Sequence, residues 1–499
     1  MELQFYKNQC ACLQRLKREV QNQEQTQEVR ISDGMPDIGS VLGAWGQVLV
    51  RSKEWRSGAM SVSGGVMAWV LYAPEDGSDP QCMETWIPFQ MRWDLPDTEQ
   101  DGTIRVNCLL RGVDARSTSA RKLMVRATVG ILGEAYVPGQ VDVYSPEALP
   151  EDVQVLKNTY PMRLPKEAGE KSFVLEEELT LPGTNPKPEK LIRYSLQPEM
   201  IDQKVMAGKV VFRGAAIVHI LYKTEDGQIC GWDFELPFSQ YAELDREYDL
   251  DATARVQPAV TSLELDMDPE GRLLLKAGLV GQYVICDRNM VEVIEDAYSP
   301  RRTVKTRSEE LQLPMILDEQ QQTVHVEQNA PVEGTKVLDV SFCPDHARQM
   351  HNDGSVDITL QGQFQMLYYD MDGKLQSTAP RWEDTWNLPV GENAQVQTAV
   401  SVTGKPQGSV SPGGGELRAD ILMDMMTTTQ QGIPMVTALE IGELTEPDPN
   451  RPSLILRKIG DDRLWDVAKR TGSTVEAIKE ANHLTENPSA EQMLLIPVL

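Results

Sequence analysis

Gly208-Lys209-Val210-Val211-Phe212-Arg213-Gly214-Ala215-Ala216-Ile217-Val218-His219-Ile220-Leu221-Tyr222 is the stretch that decides the fold. It is long and β-rich, with few helical windows, which marks it as a strand. Asp226-Gly227 follows and supplies a tight turn, because glycine takes positive φ at little cost. A second strand carries Trp232 and Phe234 and ends at Leu236-Pro237-Phe238. A later strand, Leu273 to Val280, follows another turn at Pro269-Glu270-Gly271.

Outward from this stretch the same pattern recurs. Pro36 stands to Pro186, Gly58 to Gly208 and Gly64 to Gly214 at one offset (186 − 36 = 150). Leu71-Tyr72 matches Leu221-Tyr222, Glu75-Asp76-Gly77 matches Glu225-Asp226-Gly227, and Leu123 and Ala127 match Leu273 and Ala277. In a third copy Leu367-Tyr368 precedes Asp372-Gly373. There, Lys336-Val337-Leu338 answers Lys190-Leu191-Ile192, and Arg418-Ala419 answers Lys276-Ala277. Ile87-Pro88-Phe89 and Leu388-Pro389-Val390 are read as counterparts of Leu236-Pro237-Phe238. The third copy is read as lacking the glycine before its long strand. Tyr144-Ser145-Pro146 and Tyr298-Ser299-Pro300 stand near the ends of the first two copies.

A unit of this length can hold its own core. The expected fold is therefore mainly β: three antiparallel, sandwich-like or partly open-barrel domains over 28–160, 161–310 and 311–444. Residues 1–27 are polar, with Leu13, Leu16 and Val20 at helical spacing, and predict a short amphipathic helix or lead-in. Pro447, Pro449 and Pro452 predict a semi-extended linker over 445–453. Ser409–Gly415, which is Gly-rich, is read as a loop within the third copy.

The last segment, 454–499, changes character to a small α+β module. Leu454-Ile455-Leu456 is a short strand, and Leu464, Val467 and Ala468 recur at helical spacing. Asp461 or Asp462 is placed to cap that helix and Gly472 to end it. Ser473 and Glu476 form a capping-box pattern for a second helix, with Val475, Ile478 and Ala481 on its apolar face and Asn482 closing it. Met493-Leu494-Leu495-Ile496-Pro497 is the closing strand.

The module resembles LysM on Gly460-Asp461, Leu464-Trp465, Val467-Ala468, Thr474-Val475, Ile478, Ala481-Asn482, Leu484 and Leu495-Ile496-Pro497. The resemblance implies a groove for N-acetylglucosamine polymers built from Gly460, Asp461, Asp462, Leu464 and Trp465 on one side and Asn482 and Leu484 on the other. One extra residue, Asp462 or Arg463, separates Gly-Asp from Leu-Trp. Ser489-Ala490-Glu491 stands where the family has Pro-Gly. Both departures fall on the groove loops. The repeated unit is similar to the SPOCS domain of spore-coat-associated proteins, on Gly208-Lys209-Val210 through Leu221-Tyr222 and Glu235-Leu236-Pro237-Phe238. Three such units before a LysM module resemble the clostridial spore-morphogenesis proteins of SPOCS–LysM build. That resemblance implies a mother-cell protein at the forespore surface whose module binds the coat-basement ATPase.

Charge and composition bound the alternatives. With 48 basic and 75 acidic residues the chain carries −27 and no strong basic cluster, which disfavours nucleic acid and anionic membrane. No stretch approaches a membrane span, and the start lacks a secretory pattern, so a reducing cytoplasm is expected. Seven cysteines at irregular spacing do not read as a disulfide framework. Within 452–499 six basic residues face seven acidic ones, a balance suited to a mixed protein interface.

Signals of chemistry are few. His219 reads as a strand residue. Cys343-Pro344-Asp345-His346 with His351 is a loose metal-like spacing without a fourth ligand, and reads as a surface loop. Cys10-Ala11-Cys12 is weaker still. Asp76, Asp226 and Asp372 recur before glycine, but no second group recurs with them, so they read as turn residues. No phosphate loop or nucleophile elbow is present. Neither catalysis nor a metal or cofactor is expected. The expected function is a non-catalytic interaction scaffold of coat assembly; the alternative is a peptidoglycan- or N-acetylglucosamine-binding wall protein.

Overall fold

The computed structural model describes residues 2–56, 58–96, 101–268, 270–391, 393–445, 451–484, 488 and 492–499. The first unit runs β1 (Glu2–Arg30), β2 (Ile38–Arg56), β3 (Ala59–Pro74), β4 (Gln81–Asp94), β5 (Thr103–Ser119) and β6 (Lys122–Pro146). The second repeats it with β7 (Gln154–Leu179), β8 (Pro188–Met206), β9 (Lys209–Thr224), β10 (Ile229–Glu243), β11 (Thr253–Met267) and β12 (Leu273–Tyr298). The third runs β13 (Arg302–Ala330), β14 (Lys336–Pro344), β15 (Arg348–Asn352), β16 (Ser355–Tyr369), β17 (Leu375–Thr378), β18 (Arg381–Pro389), β19 (Ala394–Ser411) and β20 (Gly414–Leu444). The chain ends in β21 (Leu454–Lys458), α1 (Leu464–Thr471), α2 (Val475–Ala481) and β22 (Met493–Pro497).

The mainly β expectation is met, with a small α+β part at the C-terminal end. Each unit is two antiparallel sheets face to face. The first pairs β2-β3-β4 with β1-β6-β5, and the second pairs β8-β9-β10 with β7-β12-β11. In the third, β16 pairs with β14, β15, β17 and β18, and lies over β13-β20-β19. Alternating inward side chains fill each sandwich: Val66, Phe89 and Trp93 meet Val106, Val125 and Ile131 in the first.

Several sequence expectations are corrected. Residues 1–27 are not helical: β1 pairs along its length with β6, from Phe5↔Pro146 to Arg30↔Lys122. β7 and β13 do the same for β12 and β20, so strand pairing carries each unit's start back to Phe5, Gln154 and Arg302, ahead of 28, 161 and 311. The third unit does have the glycine before its long strand. Gly354 takes φ +76°, as Gly58 and Gly208 take +74° and +76°. Leu388-Pro389-Val390 is not the counterpart of Leu236-Pro237-Phe238. Val390 N bonds to Gly354 O just as Leu244 N bonds to Gly208 O, which places it six residues further along. Ser409–Gly415 is the tip of the β19–β20 hairpin, with Ser411 opposite Gly414. The expected linker lies largely outside the described residues, which omit 446–450.

The repeated Leu-Tyr pair explains how the units assemble. Its tyrosine turns into its own sandwich, where Tyr72 and Tyr222 hydroxyls donate to Pro36 O and Pro186 O at 3.0 and 3.3 Å. Its leucine turns outward to neighbouring units. Leu71, Leu221 and Leu367 form one buried cluster with Leu42, Ile192 and Leu338, the equivalent residues of the three units. Contacts run from first to second, second to third and third to first, so the units close into a ring.

One equivalent position in that hub differs in every unit. Gly43, Arg193 and Asp339 each sit beside a bulge opposite the repeated leucine. Gly43 leaves room for the Trp45 ring. Arg193 donates to Asp339 Oδ2 at 2.5 Å and lies 5.2 Å from the Trp45 ring centre. His219 Nδ1 bonds to Asp233, while its Nε2 lies 2.9 Å from Asp339 Oδ1 as an ion-pair contact outside hydrogen-bond geometry. Lys405 closes the far side on Asp233 at 2.5 Å. Burial alone would drive the His219 pKa down, but Asp339 and Asp233 outweigh it and hold it above the ordinary value. Burial likewise works against the Asp339 carboxylate, but Arg193 and His219 keep it well below the usual range.

Candidate partner-binding site

The terminal module is built strand, helix, helix, strand, with β21 antiparallel to β22. Its caps differ in detail from expectation. Neither Asp461 nor Asp462 caps α1. The N-cap position is Arg463, without a side-chain cap, and Asp462 instead binds Arg457 at 2.7 Å and Arg470 at 2.5 Å. Two nearby guanidinium groups compete for that carboxylate more strongly than free amides do. Gly472 ends α1 at φ +66°, as expected. The α2 cap falls one residue later than expected: Thr474 Oγ1 accepts from Ala477 N at 3.1 Å, and Ser473 is buried.

The candidate groove residues have distinct fates. Gly460 turns the chain at φ +60° and, with Asp461, is exposed. Leu464, Trp465 and Leu484 join one apolar cluster. Asn482 is committed to the module itself. Its amide donates to Ile478 O and Leu495 O at 2.7 and 2.6 Å, and its oxygen accepts from Leu495 N at 2.8 Å.

Trp465 is 8% exposed because it rests on the second unit. Its ring meets Tyr298 edge-on, with centroids 4.8 Å apart, and its Nε1–H donates to Asp296 Oδ2 at 2.9 Å. Lys469 Nζ reaches both oxygens of the same carboxylate at 2.8 Å. The Tyr298 hydroxyl donates to Ser473 O at 3.0 Å, and Leu156 packs alongside. A bulge between Ile294 and Asp296 breaks the β12–β7 register here. Such a bulge re-aims the side chains beyond it. β6 has no bulge in its corresponding stretch, and its Tyr144 packs into the cluster between units. Sequence reading missed this seat, although the Tyr-Ser-Pro repeat had marked Tyr298.

On the other side of the module β21 and β22 bare an apolar face: Leu454, Leu456 and Met493 are 50%, 65% and 52% exposed.

The other chemical candidates resolve differently. The Cys343–His346 segment is no surface loop. Asp345 binds Arg111 at 2.8 Å and the His346 Nε2–H donates to Gly130 O at 3.2 Å, both buried against the first unit, while His351 is exposed on β15. Burial pushes the His346 pKa down to about 4 and the Cys343 thiol up to about 11. Cys10 and Cys12 lie on a strand, two apart, and both pack into the cluster between units. The Asp-Gly pairs are turns, with Gly77, Gly227 and Gly373 at φ +74 to +78°. A cleft of about 840 Å³ opens in the first unit over Gln23, Met67, Trp86 and Phe89. It opens because Gln23 stands where the second unit places Phe173 against Phe238, centroids 5.2 Å apart.

Residues 187–268, spanning β8 to β11, match the family model described as SipL, SPOCS domain. The match supports a SPOCS-domain protein and points to sporulation. No curated protein and no solved structure matches the chain. Among the described residues no helix is long and apolar enough to cross a membrane.

Proposed function

We propose that this chain is a non-catalytic interaction scaffold of spore coat or envelope assembly, acting on the mother-cell side of the forespore surface. Its terminal module, which resembles LysM, binds a protein, the coat-basement ATPase. The binding surface is the ridge from Gly460, Asp461 and Asp462 through Leu464 and Trp465 to Asn482 and Leu484. The ring of β units is the scaffold that carries it. The SPOCS match supports the sporulation setting.

One observation carries the choice of a polypeptide over a sugar. The ridge already seats on a protein surface, with an aromatic edge under Trp465 and a carboxylate shared by its Nε1–H and Lys469. The Asn482 amide, which the LysM resemblance places in the glycan groove, is spent within the module. Aromatic and ionic contacts of this kind dominate protein hot spots. The test is capture of the ATPase, and separately of insoluble peptidoglycan, by the full chain. Retention of the ATPase should be lost with Trp465→Ala and with the exposed-site change Asp461→Lys, which leaves the module core intact. Retention on peptidoglycan that depends on Trp465, with the ATPase ignored, would replace this reading by the wall-binding one.

A further inference from the structure

We infer that Asp296 and Tyr298 form an internal stand-in for the partner's epitope, so that the module's ridge is either seated on the second unit or engaged by the partner, never both. The inference rests on the reading above for the partner's identity. The seat itself rests on geometry alone.

Trp465 offers one ring edge and one N–H, and both are taken: the ring by Tyr298 and the N–H by Asp296. Lys469, one helical turn after Trp465, is held by both oxygens of Asp296. A partner that grips the ridge must displace that carboxylate and that ring. The groups that replace them must satisfy the same donors: the buried indole N–H is costly to leave unpaired, and the Lys469 ammonium, exposed as it is, gains from a facing carboxylate. The partner therefore presents an aromatic ring with an acidic side chain close beside it on extended chain, as Asp296-Ala297-Tyr298 does here.

The contact is small, yet it joins parts of one chain. Tethering supplies an effective concentration on the order of millimolar, so a modest contact stays closed most of the time. Apparent affinity for the partner then falls by the fraction of chains that are open. Opening the seat should thus tighten partner binding by on the order of tenfold.

The experiment uses the full chain labelled with 5-fluorotryptophan, the Trp465 resonance being assigned by Trp465→Phe. A soluble gadolinium chelate reports exposure of the ring, and interferometry reports ATPase binding. In Asp296→Ala the Trp465 signal should become broadened by the chelate and ATPase binding should tighten on the order of tenfold. Tyr298→Phe, which removes only the hydroxyl bond to Ser473, should do the same to a smaller degree. Lys469→Ala should expose Trp465 yet bind no tighter than wild type, because the partner needs that cation too. A Trp465 signal indifferent to Asp296→Ala refutes the seat. An exposed ring with unchanged or weaker binding refutes the gate. If neither form holds the ATPase but chitohexaose binds better to Asp296→Ala, the partner's identity fails and the gate stands. If the opened variant holds neither, the gate is refuted.

Discussion

Asp339→Asn should be among the most damaging single changes in the chain. Asp339 is fully enclosed between the second and third units, where it answers Arg193 and His219 together. Neutralising it leaves the buried Arg193 guanidinium without a counter-charge and His219 with Asp233 alone. Breaking such a pair from one side costs about 3–5 kcal/mol, roughly two to four decades in the folding equilibrium. Arg193→Met should cost a similar amount, since it strands Asp339 with His219 alone. The double change Arg193→Met, Asp339→Leu should recover most of the loss, because apolar replacement removes both desolvation penalties at once. Urea unfolding followed by tryptophan fluorescence, with the slope checked for a change in cooperativity, measures all three.

The pH dependence has a definite sign. The depressed Asp339 pKa gives stability that is present above about 4 and is lost as pH falls below it. The raised His219 pKa gives stability that is present below about 6.5 and is lost as pH rises through the folded value. The cluster is therefore strongest from about pH 4 to 6.5, and His219→Gln should flatten the alkaline limb only. A cost below about 1 kcal/mol for Asp339→Asn, or a double variant as weak as the two singles summed, would refute the reasoning.

His346 works in the opposite sense. Its folded pKa near 4 lies below the unfolded value, so stability is present above about pH 6.5 and falls toward pH 4, by about 3 kcal/mol at most. His346→Gln should remove that acid-side loss in a series of melting curves against pH. Leu221→Ala at the hub should cost about 2–5 kcal/mol by chemical unfolding, while Leu274→Ala, 46% exposed, should stay within about 0.5 kcal/mol. In Gly214→Ala the new Cβ would lie 2.1 Å from Glu199 O and 2.5 Å from Phe238 Cζ, and should lower stability by about 1–3 kcal/mol. Gly183→Ala, with nothing within 4 Å, should leave the melting temperature unchanged.

The sandwich was legible because each long strand keeps an inward apolar face, as Val356, Ile358, Leu360, Phe364 and Met366 do in β16, and Asp-Gly marks its turn. The repeat offset was legible because Pro36, Gly64 and Leu71-Tyr72 recur with fixed duties: tyrosine acceptor, ring platform and hub leucine. β1 was not legible from its own residues. It is the polar outer strand of its sandwich, so Leu13, Leu16 and Val20 imitate helical spacing while Gln21, Gln23 and Gln25 take the half-buried positions. The same offset run backwards would have found it, since Val29 opposite Leu123 repeats as Leu179 opposite Leu273. The cap positions in the module were missed because Asp462 had two arginines to satisfy. The seat under Trp465 was beyond sequence reading, since it joins residues 169 apart.

The differences between the copies follow from the ring. Three identical units would bring one residue type three times to the same hub. Three arginines or three aspartates there would each be desolvated without a partner, so a charged residue at that position is tolerable only if the copies diverge. Joining the units in one chain allows glycine, arginine and aspartate to share the place, and the resulting pair lets the second unit meet the third in one order only. The seat obeys the same constraint. One module needs one platform: β20 carries the same bulge around Thr437, but Ala438 and Glu440 stand there where β12 has Asp296 and Tyr298. Restoring regular pairing there, by deleting Glu295, should leave the second sandwich folded and free the module, a result that Trp465 exposure would report.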